Sequence, residues 1–272
     1  MSMRRRARGK QDKGWQTFLV AVAALTILLG GGVFAAYKAI TKRPVDRATS
    51  CPTDHYDSVT AVLVDLTDTV NPIQAAALRN VLLKVRSDVP KYGRLEIYPL
   101  TPTTTSTITP LFVGCSPGSA REVESRMTGT PELADRIWHT KFASKVDEVV
   151  EELLKTPDAK YSPIFEAIQS VAVTAFGTPM AKNAPAKRLV IISDMIQHTT
   201  EFSLYQGAPP FDQVKDSQYF LRVRPSLQGA YVDVSLIVRE TRKDILKPVF
   251  LAFWSGFLKK GDGQLDHWEP MQ

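Results

Sequence analysis

The amino-acid sequence predicts an α/β fold, a doubly wound and mostly parallel sheet with one antiparallel edge strand, preceded by a single transmembrane helix. Short apolar runs alternate with segments of helical periodicity along residues 58–260. The run 189–193 is almost wholly apolar, as expected for a strand covered by helices on both faces. Residues 18–37 carry no charged side chain, and at about 1.5 Å per residue they can cross a bilayer core of roughly 30 Å.

The chain therefore divides into a basic cytoplasmic tail (1–17), a transmembrane helix (18–37), a linker (38–57), the folded domain (58–260) and a C-terminal tail (261–272). A cleaved signal peptide is the alternative for the apolar run, although its apolar region normally spans only about 7 to 15 residues. Positive charges are more frequent before the run than after it, which predicts a cytoplasmic amino terminus. The domain would then be periplasmic, on an inner-membrane anchor.

The net charge of +6 does not indicate a nucleic-acid partner. Ten Lys or Arg residues stand against Asp12 and Asp46 within residues 1–47, a net of +8, so the remaining chain carries about −2. A domain without a broad basic field has little to attract phosphates. The sequence predicts a membrane and a protein as partners, and no nucleic acid.

The first half of the domain predicts two strands, 59–64 and 94–100, on either side of an amphipathic helix, 73–86. A polar turn at 101–106 leads into a further strand, 107–113. This connection is too short for a parallel crossover, so the third strand is expected to run antiparallel to the second.

The second half of the domain predicts helices 131–154 and 163–176, each preceded by a hydroxyl residue that would cap it, Thr130 or Ser162. Strands 189–193 and 231–238 follow, and then a final helix, 246–259. The aromatic residues of that helix fall on one stripe, which predicts packing against the sheet.

Only two cysteines occur, Cys51 before the first strand and Cys115 after the third. In an oxidising compartment an even pair readily forms a disulfide. Two free buried thiols in a cytoplasmic domain are the alternative.

Oxygen-bearing side chains follow the strands at the edge where a doubly wound sheet collects its ligands. Asp65, Thr67 and Thr69 alternate in the turn after the first strand, and Asp194 follows the strand 189–193. Ser162, at the start of a helix, can complete the cluster. Hard oxygen donors of this kind suit Mg²⁺, with Mn²⁺ or Ca²⁺ as alternatives.

These residues resemble the metal-ion-dependent adhesion site of von Willebrand factor type A domains. That family has Asp-x-Ser-x-Ser after the first strand, a separate Thr in a mid-domain loop, and an Asp, commonly followed by Gly, after the fourth strand. Here Asp65, Thr67 and Thr69 match the first motif, Ser162 the second and Asp194 the third, with Met195 in place of the Gly. The resemblance covers about residues 57–260. It implies a binding module, not an enzyme, that captures a partner's acidic side chain through the metal.

Two alternatives remain open from the sequence. A structural component of an envelope complex, such as a secretion or transfer apparatus, would use the same fold without a metal. A haloacid dehalogenase-like phosphatase would use Asp65 as nucleophile and Ser193 as its second motif. Its general acid would stand two residues after the nucleophile, where this chain has Thr67.

Overall fold

A computed structural model of the chain describes residues 11–41, 43–100, 107–123, 130–155, 159–242 and 245–271. The chain divides into two compact units, residues 1–44 and 45–272. The first unit holds helix α1 (Gln11–Thr41). Within it, Gly14–Tyr37 is long and apolar enough to cross a membrane, with a mean hydropathy of 2.4. The prediction of one apolar N-terminal helix is confirmed; the first ten residues of the basic tail lie outside the described residues.

The second unit is built on a six-stranded sheet. Its strands are β1 (Val59–Val64), β2 (Arg94–Pro99), β3 (Phe112–Cys115), β4 (Lys187–Ser193), β5 (Tyr231–Leu236) and β6 (Gln264–Pro270). The strand order is β3-β2-β1-β4-β5-β6, and only β3 runs antiparallel to its neighbour. The predicted fold class is therefore confirmed. The order reverses between β1 and β4, which is the topological switch point where ligands bind in such sheets.

Strand β6 lies within the segment that the sequence analysis assigned to a C-terminal tail, residues 261–272. It pairs with β5 in parallel and forms an edge of the sheet. Its apolar side chains are few: Leu265 and Trp268 are partly buried, and the Trp268 ring lies 6.2 Å from that of Phe250. An edge strand with polar flanks lacks the continuous apolar run of an interior strand, so the hydrophobic pattern missed it.

The helices flank this sheet on both faces. They are α2 (Pro72–Asp88), α3 (Pro131–Trp138), α4 (Ser144–Leu153), α5 (Ile164–Val171), α6 (Pro179–Lys182), α7 (Gln218–Val223) and α8 (Pro248–Lys260). The predicted helix 131–154 is interrupted by a π-helical turn at His139–Ala143. The helix predicted at 163–176 ends in a second π-helical turn, Ala172–Phe176. The third strand is shorter than predicted and lies later in the chain, since residues 107–111 are not part of β3.

Neither predicted hydroxyl cap forms. Thr130 occupies the N-cap position of α3, but its side chain makes no capping hydrogen bond. Pro163, not Ser162, is the N-cap residue of α5. The Ser162 hydroxyl instead donates to Asp65, 97 residues away. A tertiary contact has thus replaced the local cap that residue type alone predicts.

The strands alternate their side chains between two buried layers. Ala61 and Leu63 of β1 face the layer formed with α5 and α8, whereas Val62 and Val64 face the layer formed with α2 and α4. Phe165 of α5 is fully buried, with the rings of Trp254 and Phe257 each 4.6 Å away. The predicted aromatic stripe of the final helix is core: Phe250, Phe253, Trp254, Phe257 and Leu258 are all buried.

The predicted disulfide is present and joins Cys51 to Cys115. Both residues are buried, and the backbone N–H of Cys115 donates to the Thr49 carbonyl at 2.9 Å. The segment before β1 is therefore fixed to the end of β3 by a covalent and a hydrogen bond. The alternative of two free thiols is wrong for this chain.

Candidate metal site

The loop after β1 is organised around the side chain of Asp65. Its backbone N–H continues the ladder to β4 by donating to the Ile192 carbonyl at 2.8 Å. Its Oδ1 accepts the Thr67 backbone N–H at 3.1 Å and the Thr67 hydroxyl at 2.7 Å. This local pairing is an Asx-type turn, which fixes the position of the Thr67 hydroxyl beside the carboxylate.

Two serines from distant segments donate to the other oxygen of the same carboxylate. Asp65 Oδ2 accepts the Ser162 hydroxyl at 3.0 Å and the Ser193 hydroxyl at 2.8 Å. Ser162 is held in place by a reciprocal pair of backbone hydrogen bonds with His198, both 2.9 Å long. Asp65, Thr67, Ser162 and Ser193 are all buried, so four residues from three separate stretches of chain meet where little water reaches them.

Asp194 follows β4 directly and lies close enough to Asp65 for the two carboxylates to repel each other. Its Oδ1 accepts the Ile196 backbone N–H at 2.8 Å, and its Oδ2 accepts Arg239 Nε at 3.3 Å. Burial, followed by the charge of Asp65, raises the pKa of Asp194 to about 7, although the Ile196 N–H and Arg239 act in the opposite direction. A cation bound between Asp65 and Asp194 would offset the repulsion between these two carboxylates.

Arg239 is a residue of the site that the sequence analysis missed. It follows β5, and its guanidinium donates to the carbonyls of Thr69 at 2.5 Å and Asp68 at 3.3 Å as well as to Asp194. No short-range motif marks it, because it meets the loop after β1 only through the pairing of β5 with β4. Thr69 itself is exposed, and within the described residues no hydrogen bond links its hydroxyl to the cluster.

Met195, which stands where the resembling family commonly has glycine, adopts a left-handed backbone conformation. Its φ is +59°, and its side chain is fully buried. Its N–H donates to the Ser193 hydroxyl at 2.8 Å, and its carbonyl accepts the Trp254 indole N–H at 3.1 Å. These contacts hold a non-glycine residue in the left-handed region, which ordinarily costs about 1–2 kcal/mol.

Gln197 explains why the Ser162 side chain is not needed as a helix cap. Its Oε1 accepts the Phe165 backbone N–H at 3.0 Å, so it satisfies one of the unpaired donors at the start of α5. Its Nε2 donates to the Tyr219 hydroxyl at 3.1 Å and to Glu166 at 3.3 Å. Gln197 is fully buried. The sequence offers no signal for this role, because the bond spans 32 residues.

The donor set suits a hard cation. Thr67 and Ser162 each give their single hydroxyl hydrogen to Asp65, which leaves lone pairs on both oxygens free to coordinate a metal ion. No hydrogen bond from another described residue ends on either oxygen. Ser193 differs, since its oxygen already accepts the Met195 N–H. Thr67 and Ser162 would therefore be the hydroxyl ligands, Asp65 and Asp194 would supply negative charge, and Ser193 would support Asp65.

A second group of potential ligands lies at the far edge of the sheet. Asp233 of β5 and Asp266 and His267 of β6 each offer one ligand atom, and these atoms lie within 4.8 Å of one another. Asp233 also accepts Arg188 Nε at 2.5 Å, so its charge is already balanced. The spacing of the histidines in the sequence gave no indication of this cluster, because the cluster forms only when β6 pairs with β5.

No protein-family model matches the chain, and no curated protein matches it in sequence. Among solved structures, the chain is similar to the crystal structure of the human COPII-coat protein Sec24c, with a TM-score of 0.40 and 12% sequence identity. The match covers 80% of this chain and 30% of that chain. What is established for this protein is accordingly a mixed α/β domain with one apolar N-terminal helix and one disulfide.

Proposed function

We propose that this protein is a membrane-anchored, extracytoplasmic binding module similar to von Willebrand factor type A domains. It captures an acidic side chain of a partner protein through a divalent cation, Mg²⁺ or alternatively Mn²⁺ or Ca²⁺. The observation that carries the proposal is the set of hydroxyls from Thr67, Ser162 and Ser193 that converge on the buried carboxylate of Asp65. Hydroxyls with few carboxylates leave a bound Mg²⁺ electropositive, so a partner's carboxylate can complete its coordination.

The surface beside the site also favours an acidic partner. The rings of Tyr161, His198 and Tyr205 form a continuous row, with centroids 5.8 Å and 4.6 Å apart. A cation stands at each end: Lys160 lies 5.3 Å from the Tyr161 ring, and Arg242 lies 4.5 Å from the Tyr205 ring. Both cations are exposed. An acidic segment seated on the metal would find complementary charge on either side of it.

The proposed location follows from α1 and the disulfide. An apolar helix with more positive charge before it than after it is expected to leave the amino terminus in the cytoplasm. The Cys51–Cys115 bond agrees with a domain in the periplasm, because structural disulfides are rare in the reducing cytoplasm.

Calorimetric titration of the full chain in detergent with Mg²⁺ and Mn²⁺ tests the proposed metal site. We expect saturable binding by the native protein and none by Asp65→Ala, because that change removes the acceptor that orients the hydroxyls of Thr67 and Ser162. Asp212→Ala is the matched control: Asp212 is an exposed aspartate paired with Lys215, and its loss should leave binding unchanged. At a Mg²⁺ concentration of about 100 Kd the native protein should also gain about 2.7 kcal/mol of stability. Absence of binding at millimolar metal would contradict the proposal.

A metal-free assembly component of an envelope complex is the second candidate. Arg239 favours it, because its guanidinium already supplies a positive charge to Asp194. Partner capture from membranes that persists unchanged in chelator would support this candidate over the first. A haloacid dehalogenase-like phosphatase would instead be indicated by phosphate-ester turnover that disappears in Asp65→Asn.

A further inference from the structure

Arg239 lies where its positive charge serves the same carboxylate that a metal would use. Its Nε donates to Asp194 Oδ2 at 3.3 Å, and only 15% of its side chain is exposed. The backbone around it is fixed from two sides. The Ile237 N–H donates to the Ser193 carbonyl at 2.9 Å, and Gln74 Nε2 donates to the Val238 carbonyl at 3.1 Å. These bonds fix the backbone from which Arg239 extends, and the low exposure of its side chain shows that the guanidinium packs into the site.

The same guanidinium fixes the loop that carries Thr69. It donates to the carbonyls of Thr69 and Asp68, and its Nη2 lies 3.9 Å from the Asp68 carboxylate. These contacts hold the backbone of the loop while the Thr69 side chain remains exposed. One side chain thus pairs with Asp194 and restrains the backbone of Thr69, the second hydroxyl residue of the first motif.

A guanidinium and a divalent cation at one carboxylate repel each other, and the repulsion is strong in a buried site where water screens little. From this geometry we infer that Arg239 competes with the divalent cation for Asp194, so that metal binding displaces the guanidinium and releases the Asp68–Thr69 loop. Arg239 would then set the metal affinity of the site and keep it neutralised at low metal concentration. This inference rests on the proposed metal site.

Competition and a purely structural role predict different changes in Mg²⁺ affinity when Arg239 is replaced. If Arg239 competes, Arg239→Gln should bind Mg²⁺ about tenfold more tightly than the native protein, which is within the roughly 5–150-fold range of typical coupling between binding events. If Arg239 only supports the Asp68–Thr69 loop and the loop that carries Asp194, its loss should weaken Mg²⁺ binding or leave it unchanged. Arg239→Lys keeps the charge but not the fork of donors, so its affinity should fall between those of the native protein and Arg239→Gln.

The experiment is calorimetric titration of the full chain and these variants with Mg²⁺, with thermal unfolding measured in chelator and in Mg²⁺. Arg222→Gln is the matched control, because Arg222 is exposed and pairs with Glu201 instead of Asp194. We expect Arg239→Gln to be less stable than the native protein in chelator and to gain more from Mg²⁺. If Arg239→Gln does not fold in chelator, the affinity of Arg239→Lys relative to the native protein decides the question.

The outcomes separate this inference from the proposed function. Tighter binding by Arg239→Gln, with Arg222→Gln unchanged, supports the competition. Native binding with equal or weaker binding by folded Arg239→Gln overturns the competition but leaves the metal site standing. Absence of Mg²⁺ binding in all of these folded proteins overturns the proposed metal function, and the competition with it.

Discussion

Removing the disulfide should produce a large loss of stability whose size follows from the chain separation of its cysteines. Cys51 and Cys115 are 64 residues apart, and the closed loop contains β1, α2, β2 and β3. In the chain-entropy description of disulfides, a loop of this length stabilises the native state by about 4 kcal/mol, because the cross-link restricts the unfolded chain. Cys51→Ala combined with Cys115→Ala should lower the free energy of unfolding by about that amount.

The assay is urea unfolding followed by tryptophan fluorescence, since Trp138, Trp254 and Trp268 all lie in residues 45–272. In a domain of this size, about 4 kcal/mol corresponds to a fall of roughly 8–16 °C in Tm. Reductant should destabilise the native protein and leave the double variant unchanged, which is the matched control. A double variant within about 1 kcal/mol of the native protein would refute the reasoning, because the cross-link would then not constrain the unfolded chain.

Two further predictions concern the core and the sheet edge. Phe165→Ala should lower the free energy of unfolding in urea by about 3–5 kcal/mol, because Phe165 is fully buried against Trp254 and Phe257. Leu221→Ala, at a half-exposed position of α7, is the control and should change it by no more than about 0.5 kcal/mol. Equal effects of the two substitutions would contradict the assigned core. The hydrogen bond to Asp233, with the charges of Asp266 and Asp233, raises the pKa of His267 above its ordinary value of 6.5. The stability this pair contributes should be fully present below pH 6.5 and lost as pH rises through the folded-state pKa. An NMR titration of the His267 ring with a midpoint at or below 6.5 would exclude this pairing, and His267→Gln should remove this contribution to the pH dependence of stability.

The fold was predictable from the sequence mainly where strands are buried on both faces. The runs that became β1 and β4 are apolar along nearly their whole length, and the apolar N-terminal helix has no polar face to confuse its assignment. Strand β6 was not predictable in this way, because one of its edges is unpaired and its side chains are mostly polar. The two π-helical turns, one inside a predicted helix and one at the end of another, were not predicted either, because an i→i+5 turn departs from the α-helical pattern by only one residue.

The candidate site was predictable to the extent that its residues follow strand ends. Asp65 and Asp194 stand directly after β1 and β4, and these strands are neighbours at the switch point. Asp65, Thr67 and Ser162 do meet by hydrogen bonds, whereas the Thr69 hydroxyl does not join them. Arg239 and Gln197 could not be found from the sequence, because their partners are distant in the chain and an Arg or Gln in a loop has many ordinary roles.

The sequence alone determined which segments are apolar, where they alternate with helices, and which hydroxyls and carboxylates follow the strands, because these properties depend on neighbouring residues. Only the tertiary structure decided that Ser162 serves Asp65 instead of capping α5, that Gln197 takes over that cap, and that Arg239 reaches Asp194. Each of these contacts joins residues at least 32 positions apart, so the order of the strands, and not the local chain, selects the partner.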